Sequence, residues 1–213
     1  MSVAAPREGA GPPPDFLADL KASPARERDV ERFRLMLVEA NQTMNLVGDS
    51  TLGDFWRRHF IDSAQLLWFA PKVMIWADLG SGAGLPGLIL AILLRDRPGA
   101  RVHLVESMTK RCQFLGAVVK ALDLPAQVHN ARAEALNLEV EMVTARACAP
   151  LDRLLGYARP YFARGARGLF LKGAGVDEEI VQARKAWRFH CETWPSLSDE
   201  RGRLLSIEEL ARA

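Results

Sequence analysis

Residues 74–87, MIWADLGSGAGLPG, constrain this chain more than any other stretch. An apolar run ends in an acid, Asp78, and glycines follow at 80, 82, 84 and 87. A purely apolar segment, 88–94, comes next. The pattern is that of a buried strand, a turn where backbone approaches a ligand closely, and a helix aimed at that ligand. Glycine gives such a turn both positive φ angles and freedom from side-chain bulk. The N–H groups of a first helical turn are free to meet a polar ligand. The stretch therefore reads as a site for a nucleotide or an adenosyl cofactor.

The spacing alone leaves the cofactor open. Gly82, Gly84 and Gly87 spell GxGxxG, a dinucleotide fingerprint. Gly80, Gly82 and Gly84 spell GxGxG behind Asp78, the pattern of methyltransferases that use S-adenosylmethionine. A P-loop is excluded, because Leu88 and Ile89 stand where Lys and Ser or Thr belong. A tight turn without a ligand is the bland alternative, but four glycines within residues 80–87 cost much backbone entropy.

The chain has 213 residues, 49% hydrophobic and 25% charged, which suits one sizeable core. Its net charge of +2 does not announce a nucleic-acid binder, so any basic surface is local. Cys112, Cys148 and Cys191 form neither a disulfide framework nor a CxxC pair. The histidines at 59, 103, 129 and 190 show no ligand spacing, and no metal is expected. No signal-peptide core opens the chain, and the longest apolar run, 85–94, is too short to span a bilayer. A cytoplasmic protein is expected, with a monomer as the default.

Residues 1–14, rich in Ala, Gly and Pro, are expected to be disordered. Residues 15–72 read as a helical cap over one face of the main sheet. Val30, Phe33 and Leu37 carry a helix over 25–41, and a second helix starts near Ser50 or Thr51. From residue 73 to the C-terminus, strand and helix patterns alternate. Strands fall at 73–79, 102–105, 126–129, 140–145 and 168–171. Helices fall at 85–94, 110–122, 151–162 (ended near Pro160) and 177–187. Residues 188–193 and 203–207 form a closing pair of strands. This is an α/β, Rossmann-like arrangement with a mostly parallel sheet. Its ligands sit at the C-terminal strand ends.

Glu106 ends the second strand, 22 residues after Gly84. A carboxylate there accepts hydrogen bonds from both hydroxyls of a ribose, in NAD enzymes and adenosylmethionine enzymes alike. Methyl transfer is favoured over hydride transfer, because neither Tyr157 nor Tyr161 forms a Tyr-xxx-Lys dyad and little chain remains for a separate substrate domain. Cys148 lacks the Pro-Cys context of a nucleophile that attacks pyrimidines. Arg146, Arg153, Arg159, Arg164, Arg167 and Lys172 form a basic zone with Asp152 the one acid among them. That zone is either a phosphate-contacting surface or a solvated face.

Seven segments occur in order: 41–47 (NQTMNLV), 58–63 (RHFIDS), 78–87 (DLGSGAGLPG), 106–115 (ESMTKRCQFL), 132–134 (RAE), 146–149 (RACA) and 171–173 (LKG). Over residues 30–205 the chain resembles the bacterial 16S rRNA guanine-N7 methyltransferase family. The resemblance implies a cytoplasmic enzyme that moves the methyl of S-adenosylmethionine to N7 of guanosine 527 (conventional rRNA numbering) of 16S rRNA. The partner it implies is 16S rRNA or a small-subunit particle. Cofactor contacts implied by motif are Gly80, Gly82 and Leu85 in the first loop, Ala133 and Glu134 after strand three, and Arg146 after strand four. Glu106 joins them. The expected RNA contacts are Arg58, Arg164, Arg167 and Lys172. The family usually carries Asp at Glu106 and Phe at Cys148. No side chain is expected to act as a general base, because guanine N7 has a lone pair and no proton to remove. A same-fold methyltransferase acting on a small molecule or protein, or a NAD-binding oxidoreductase, remains the alternative.

Overall fold

The computed structural model describes residues 23–213. The extension 1–14 lies outside them. Helix α1 (Pro24–Met44) starts at Ser23, whose hydroxyl accepts from the Arg26 N–H, with Pro24 in the first turn. Val30, Phe33, Leu37 and Asn41 form its buried stripe. Asn45, in the left-handed region, ends it.

The second cap helix is broken into three pieces: α2 (Asp49–Leu52), a π-helical turn (Trp56–Ile61) and α3 (Asp62–Phe69). Phe55 and Phe60 are both buried. Five residues apart, they would diverge on an α-helix, and an i→i+5 turn brings them to one side.

The sheet contains β1 (Ile75–Leu79), β2 (Arg101–Glu106), β3 (Ala126–Asn130), β4 (Met142–Arg146), β5 (Arg167–Lys172), β6 (Trp187–Pro195) and β7 (Arg203–Arg212). Their order is β3-β2-β1-β4-β5-β7-β6. The first five pair in parallel, and β7 runs antiparallel to both β5 and β6. The intervening helices are α4 (Gly87–Leu94), α5 (Thr109–Leu122), α6 (Leu151–Phe162) and α7 (Val176–Ala183). The Rossmann-like α/β architecture is thus present, with β1 between β2 and β4 at the switch point where such folds hold ligands.

Two expectations need correction. The helix expected over 177–187 stops at Ala183, and Trp187 opens β6 instead. Buried Trp187 and Phe189 alternate with exposed Arg188 and His190, a strand period. Helix α6 passes through Pro160 to Phe162. Pro160 loses only a bond near the helix end, and the residue four before it is Gly156. The cap packs on α4 and α5, the helices over one face of the sheet, and its Phe69 meets Trp194 of β6.

Strand alternation splits the core in two. Trp76, Val102, Leu104, Met142 and Leu169 face α1, α3, α4 and α5. Ala77, Leu79, Val105, Val143 and Phe170 face α6 and α7. Helix α4 is buried on every side, between sheet and cap, which explains why it carries no polar stripe.

Candidate active site

The floor of the site grows from the end of β1. Asp78 is fully buried, and its Oδ2 accepts from the Gly87 N–H at 3.0 Å. Its other oxygen, Oδ1, has no partner among the described residues. Burial raises the Asp78 carboxyl to about 7. Gly80 (φ 68°), Gly82 (φ 51°) and Gly84 (φ 83°) all occupy the left-handed region. A Cβ on Gly80 would stand 2.6 Å from Cys148 Sγ, and one on Gly84 would stand 2.1 Å from Leu88 Cδ1. All three glycines are therefore required by φ, and Gly80 and Gly84 by space as well.

The loop, more than the helix after it, faces the site. Of the first-turn N–H groups of α4, Gly87 donates to Asp78 and Leu88 to the Gly84 carbonyl at 2.7 Å.

Glu106 is buried at the end of β2. Its Oε2 accepts from the Gly82 N–H at 3.1 Å, and its Oε1 from the Met108 N–H at 2.8 Å. Arg111 Nη1 stands 3.8 Å from Oε2. The carboxylate thus joins the glycine loop to the end of the neighbouring strand, with lone pairs left for further donors.

Above this floor opens a cleft of about 1050 Å³. Gly80, Gly82 and Leu85 line it from the loop, Arg146 and Cys148 from the end of β4, and Lys172 from the end of β5. The cap contributes residues 46–51 and 58–62, in part. Asn41 shapes that lip: buried, it accepts from the Val47 N–H at 2.9 Å and donates to Asp49 at 2.8 Å. The β6–β7 turn contributes Ser198, Asp199 and Arg201. Arg58 pairs with Asp199 across this junction at 2.9 Å.

Two groups that line the cleft lie far from neutral pH. Burial, with Arg146 and Arg58 beside it, lowers His59 to about 4, so its imidazole is neutral. Burial and the nearby Asp78 and Glu106 charges raise Cys148 to about 11, so the thiol keeps its proton and is no thiolate nucleophile. Lys172 is committed to Glu179 at 2.6 Å and to the Ala149 carbonyl at 3.2 Å. No group of three or more His, Cys, Asp or Glu among the described residues could hold a metal ion.

The sequence-derived residues do not all converge. Gly80, Gly82, Leu85, Arg146, Arg58 and Lys172 line the cleft, and Glu106 lies against its glycine loop. Ala133 and Glu134 sit on a 3-10 turn after β3, with the Ala133 carbonyl held by Tyr161 at 3.0 Å. Glu134 lines a second, smaller groove of about 380 Å³ beside α6. Arg164 and Arg167 lie at the other edge of the sheet. Arg167 begins β5 and pairs in register with Met142, the first residue of β4, whereas Arg146 ends β4. Arg164 contacts Glu139 at 3.3 Å, and Arg167 contacts Glu208 at 3.6 Å. Residue spacing missed Asp62, His59, Arg111 and Arg201 as lining or supporting groups. The RHFIDS block carried a signal for the first two. Nothing local marked Arg201, which reaches the cleft from a remote hairpin.

The comparisons with known proteins now decide between the candidate chemistries. The model of the rRNA small subunit methyltransferase G family matches residues 26–203. The chain belongs to that family. It is therefore an enzyme, an rRNA methyltransferase dependent on S-adenosylmethionine. The Ribosomal RNA small subunit methyltransferase G of Caulobacter vibrioides (strain NA1000 / CB15N) is 57% identical over 197 residues, 92% of this chain and 91% of that one. Its namesake from Bradyrhizobium sp. (strain ORS 278) is 40% identical over 215 residues, 99% of this chain and 97% of that one. Among solved structures, a SAM dependent methyltransferase from Aquifex aeolicus superposes with a TM-score of 0.52. It is 12% identical and covers 71% of this chain and 92% of its own, a likeness of fold alone. No helix among the described residues is long and apolar enough to cross a membrane.

Proposed function

We propose that this family member methylates N7 of guanosine 527 (conventional numbering) in 16S rRNA, in the decoding region. The observation that carries this reading is a cleft whose carboxylates are each paired with a cation: Asp62 with Arg146, Asp199 with Arg58 and Glu179 with Lys172. His59 is neutral, the Cys148 thiol is protonated and Lys172 is paired. Guanine N7 has an in-plane lone pair and no proton at neutral pH, so the reaction needs alignment and no base.

The residues fit the cofactor. The loop presents backbone bare of side chains at Gly80, Gly82 and Gly84, beside the buried Glu106 carboxylate, whose lone pairs the Gly82 and Met108 N–H groups do not exhaust. Gly80, Gly82 and Leu85 would hold the cofactor from the loop, Glu106 its ribose, and Arg146 the side towards the acceptor. Ala133 and Glu134 would close the adenosine end. Bound S-adenosylmethionine supplies a methyl activated on a sulfonium. The protein's part is to fix the acceptor, keep water out and tolerate the positive charge that appears on the purine.

RNA would approach over the rim, where Arg58 and Lys172 stand with Arg111 and Arg201. Arg164 and Arg167 would touch only RNA that extends around the molecule to the start of β5. A monomer is taken as the working unit, in the cytoplasm with its rRNA. The test is a map of 7-methylguanosine in 16S rRNA from cells with and without the protein. Loss of one modified guanosine on deletion is expected. An unchanged map would overturn the reading.

A further inference from the structure

The wall of the cleft is held by one carboxylate that neither the glycine loop nor the proposed chemistry uses. Asp62 begins α3, just after the π-helical turn. Its Oδ1 accepts from Ser198 Oγ at 2.6 Å and Ser196 Oγ at 3.3 Å, both on the β6–β7 turn. The same oxygen accepts from Gln65 Nε2 at 3.1 Å. Its Oδ2 accepts from Arg146 Nη1 at 3.2 Å. Arg146 Nη1 also donates to the Arg58 carbonyl at 3.0 Å. The side chains of Arg146 and Asp62 are only 18% and 14% exposed.

Three segments distant in sequence therefore meet on one side chain: the cap, the end of β4 and the closing hairpin. The hairpin side has redundant support. Gln65 accepts from the Leu197 N–H at 2.9 Å, and Arg57 donates to the Ser198 carbonyl at 3.0 Å. Arg146 has no such reserve. Asp62 is its one salt-bridge partner among the described residues, and the Arg58 carbonyl meets the same nitrogen.

We propose that Asp62 is a positioning residue for methyl transfer: it fixes the Arg146 guanidinium in the cleft and balances its charge. The inference rests on the reading of the cleft as the methyl-transfer site. Two consequences follow from charge and geometry. A mobile guanidinium would leave the acceptor face less defined, and alignment governs rate in a reaction without proton transfer. An unbalanced guanidinium would also oppose the positive charge that grows on the purine. Both act on the chemical step more than on cofactor affinity.

The test uses the full chain, 16S rRNA lacking the modification, and single-turnover rates. Asp62→Asn keeps an acceptor for the hairpin serines and removes the charge that faces Arg146. Its rate should fall about ten-fold or more, with affinity for S-adenosylhomocysteine within about three-fold and an unchanged melting midpoint. In an Arg146→Gln background, Asp62→Asn should have little further effect, because its influence runs through Arg146. Ser196→Ala, which removes a hairpin hydroxyl from Asp62 at a position outside the cleft lining, should stay within about three-fold of wild type. Asp62→Glu, which keeps the charge, should recover most of the rate even if the Asn variant proves unstable. An Asn variant at full rate, an equal loss with and without Arg146, or a Glu variant as slow as the Asn variant would each overturn the proposal. Wild-type transfer to the RNA tests the reading of the site separately, and the ratios between variants test Asp62.

Discussion

The floor and the wall of the cleft are built in different ways. The floor is nearly one segment, residues 78–87, closed by Glu106 from the adjacent strand. Its geometry is local: positive φ angles, an absence of side chains, and N–H groups spent on two buried acids. The wall is assembled from the cap, the end of β4 and a hairpin more than 130 residues further along, joined by side-chain bonds such as Gln65 to Ser196. A floor of this kind tolerates almost no change of residue. The hairpin side of such a wall tolerates losses one bond at a time, whereas Arg146 rests on Asp62. The floor should therefore govern the cofactor and the wall the RNA.

The largest effect expected is on the floor. Gly80→Ala places a Cβ against Cys148 Sγ in a left-handed conformation. The cost to cofactor affinity should be about 2–4 kcal/mol, roughly 30- to 1000-fold. Calorimetry with S-adenosylhomocysteine measures it, and RNA affinity without cofactor should hold. Equal losses of both would erase the division between floor and wall.

The floor also has a pH signature. Asp78, raised to about 7 when folded, lies well above the ordinary carboxylate value near 4. Its stabilisation is complete below about pH 4 and is lost as pH rises to about 7, because the unfolded chain releases the proton first. Asp78→Asn should therefore gain on wild type between pH 5 and 8, by roughly 2–4 kcal/mol at the upper end. His59 and His103, both lowered to about 4, act in the reverse sense below about pH 6.5 in both proteins, so the difference isolates Asp78. Urea titrations across that range would show it, and a constant difference would contradict the assignment.

Glu106→Ala should cost about 1.5–3 kcal/mol in cofactor affinity, roughly ten- to 150-fold. The loss combines the ribose bonds with release of the Gly82 and Met108 N–H groups. Glu106→Asp should be milder, keeping the charge at a shorter reach. An Ala variant binding within two-fold of wild type would place Glu106 outside the cofactor site.

Effects of the wall's exposed charges should be smaller still and fall on RNA binding. Arg58→Glu should weaken RNA binding by about ten-fold at low salt and reduce the slope of log affinity against log salt by about one. The pair Arg164→Glu and Arg167→Glu should do less, because both lie at the N-terminal edge of the sheet. A larger loss from that pair would extend the RNA path around the molecule.

The same contrast explains what was legible in the sequence. The floor reads directly, since glycine spacing, Asp78 and Glu106 are local patterns with one geometric solution. Strand and helix positions followed from periodicity for the same reason. The wall does not read, because Asp62, Arg201 and Ser198 meet only after the sheet has closed. Arg164 and Arg167 illustrate the limit: spacing placed them near a strand but could not say at which end. The π-helical turn at Trp56–Ile61 was hidden too, since Phe55 and Phe60 fit no α period.

The most direct test of the account is the pH profile of single-turnover methylation at saturating cofactor and RNA. His59 and Cys148 line the cleft far from neutrality, at about 4 and about 11, Asp78 is buried beneath the loop and held by the Gly87 N–H, and guanine N7 needs no base. The rate should vary less than about three-fold between pH 6 and 9, a window bounded by ordinary His and Lys titration. A rate rising about ten-fold per pH unit, and flattened by one substitution in the cleft, would show proton removal in the step and contradict transfer to N7.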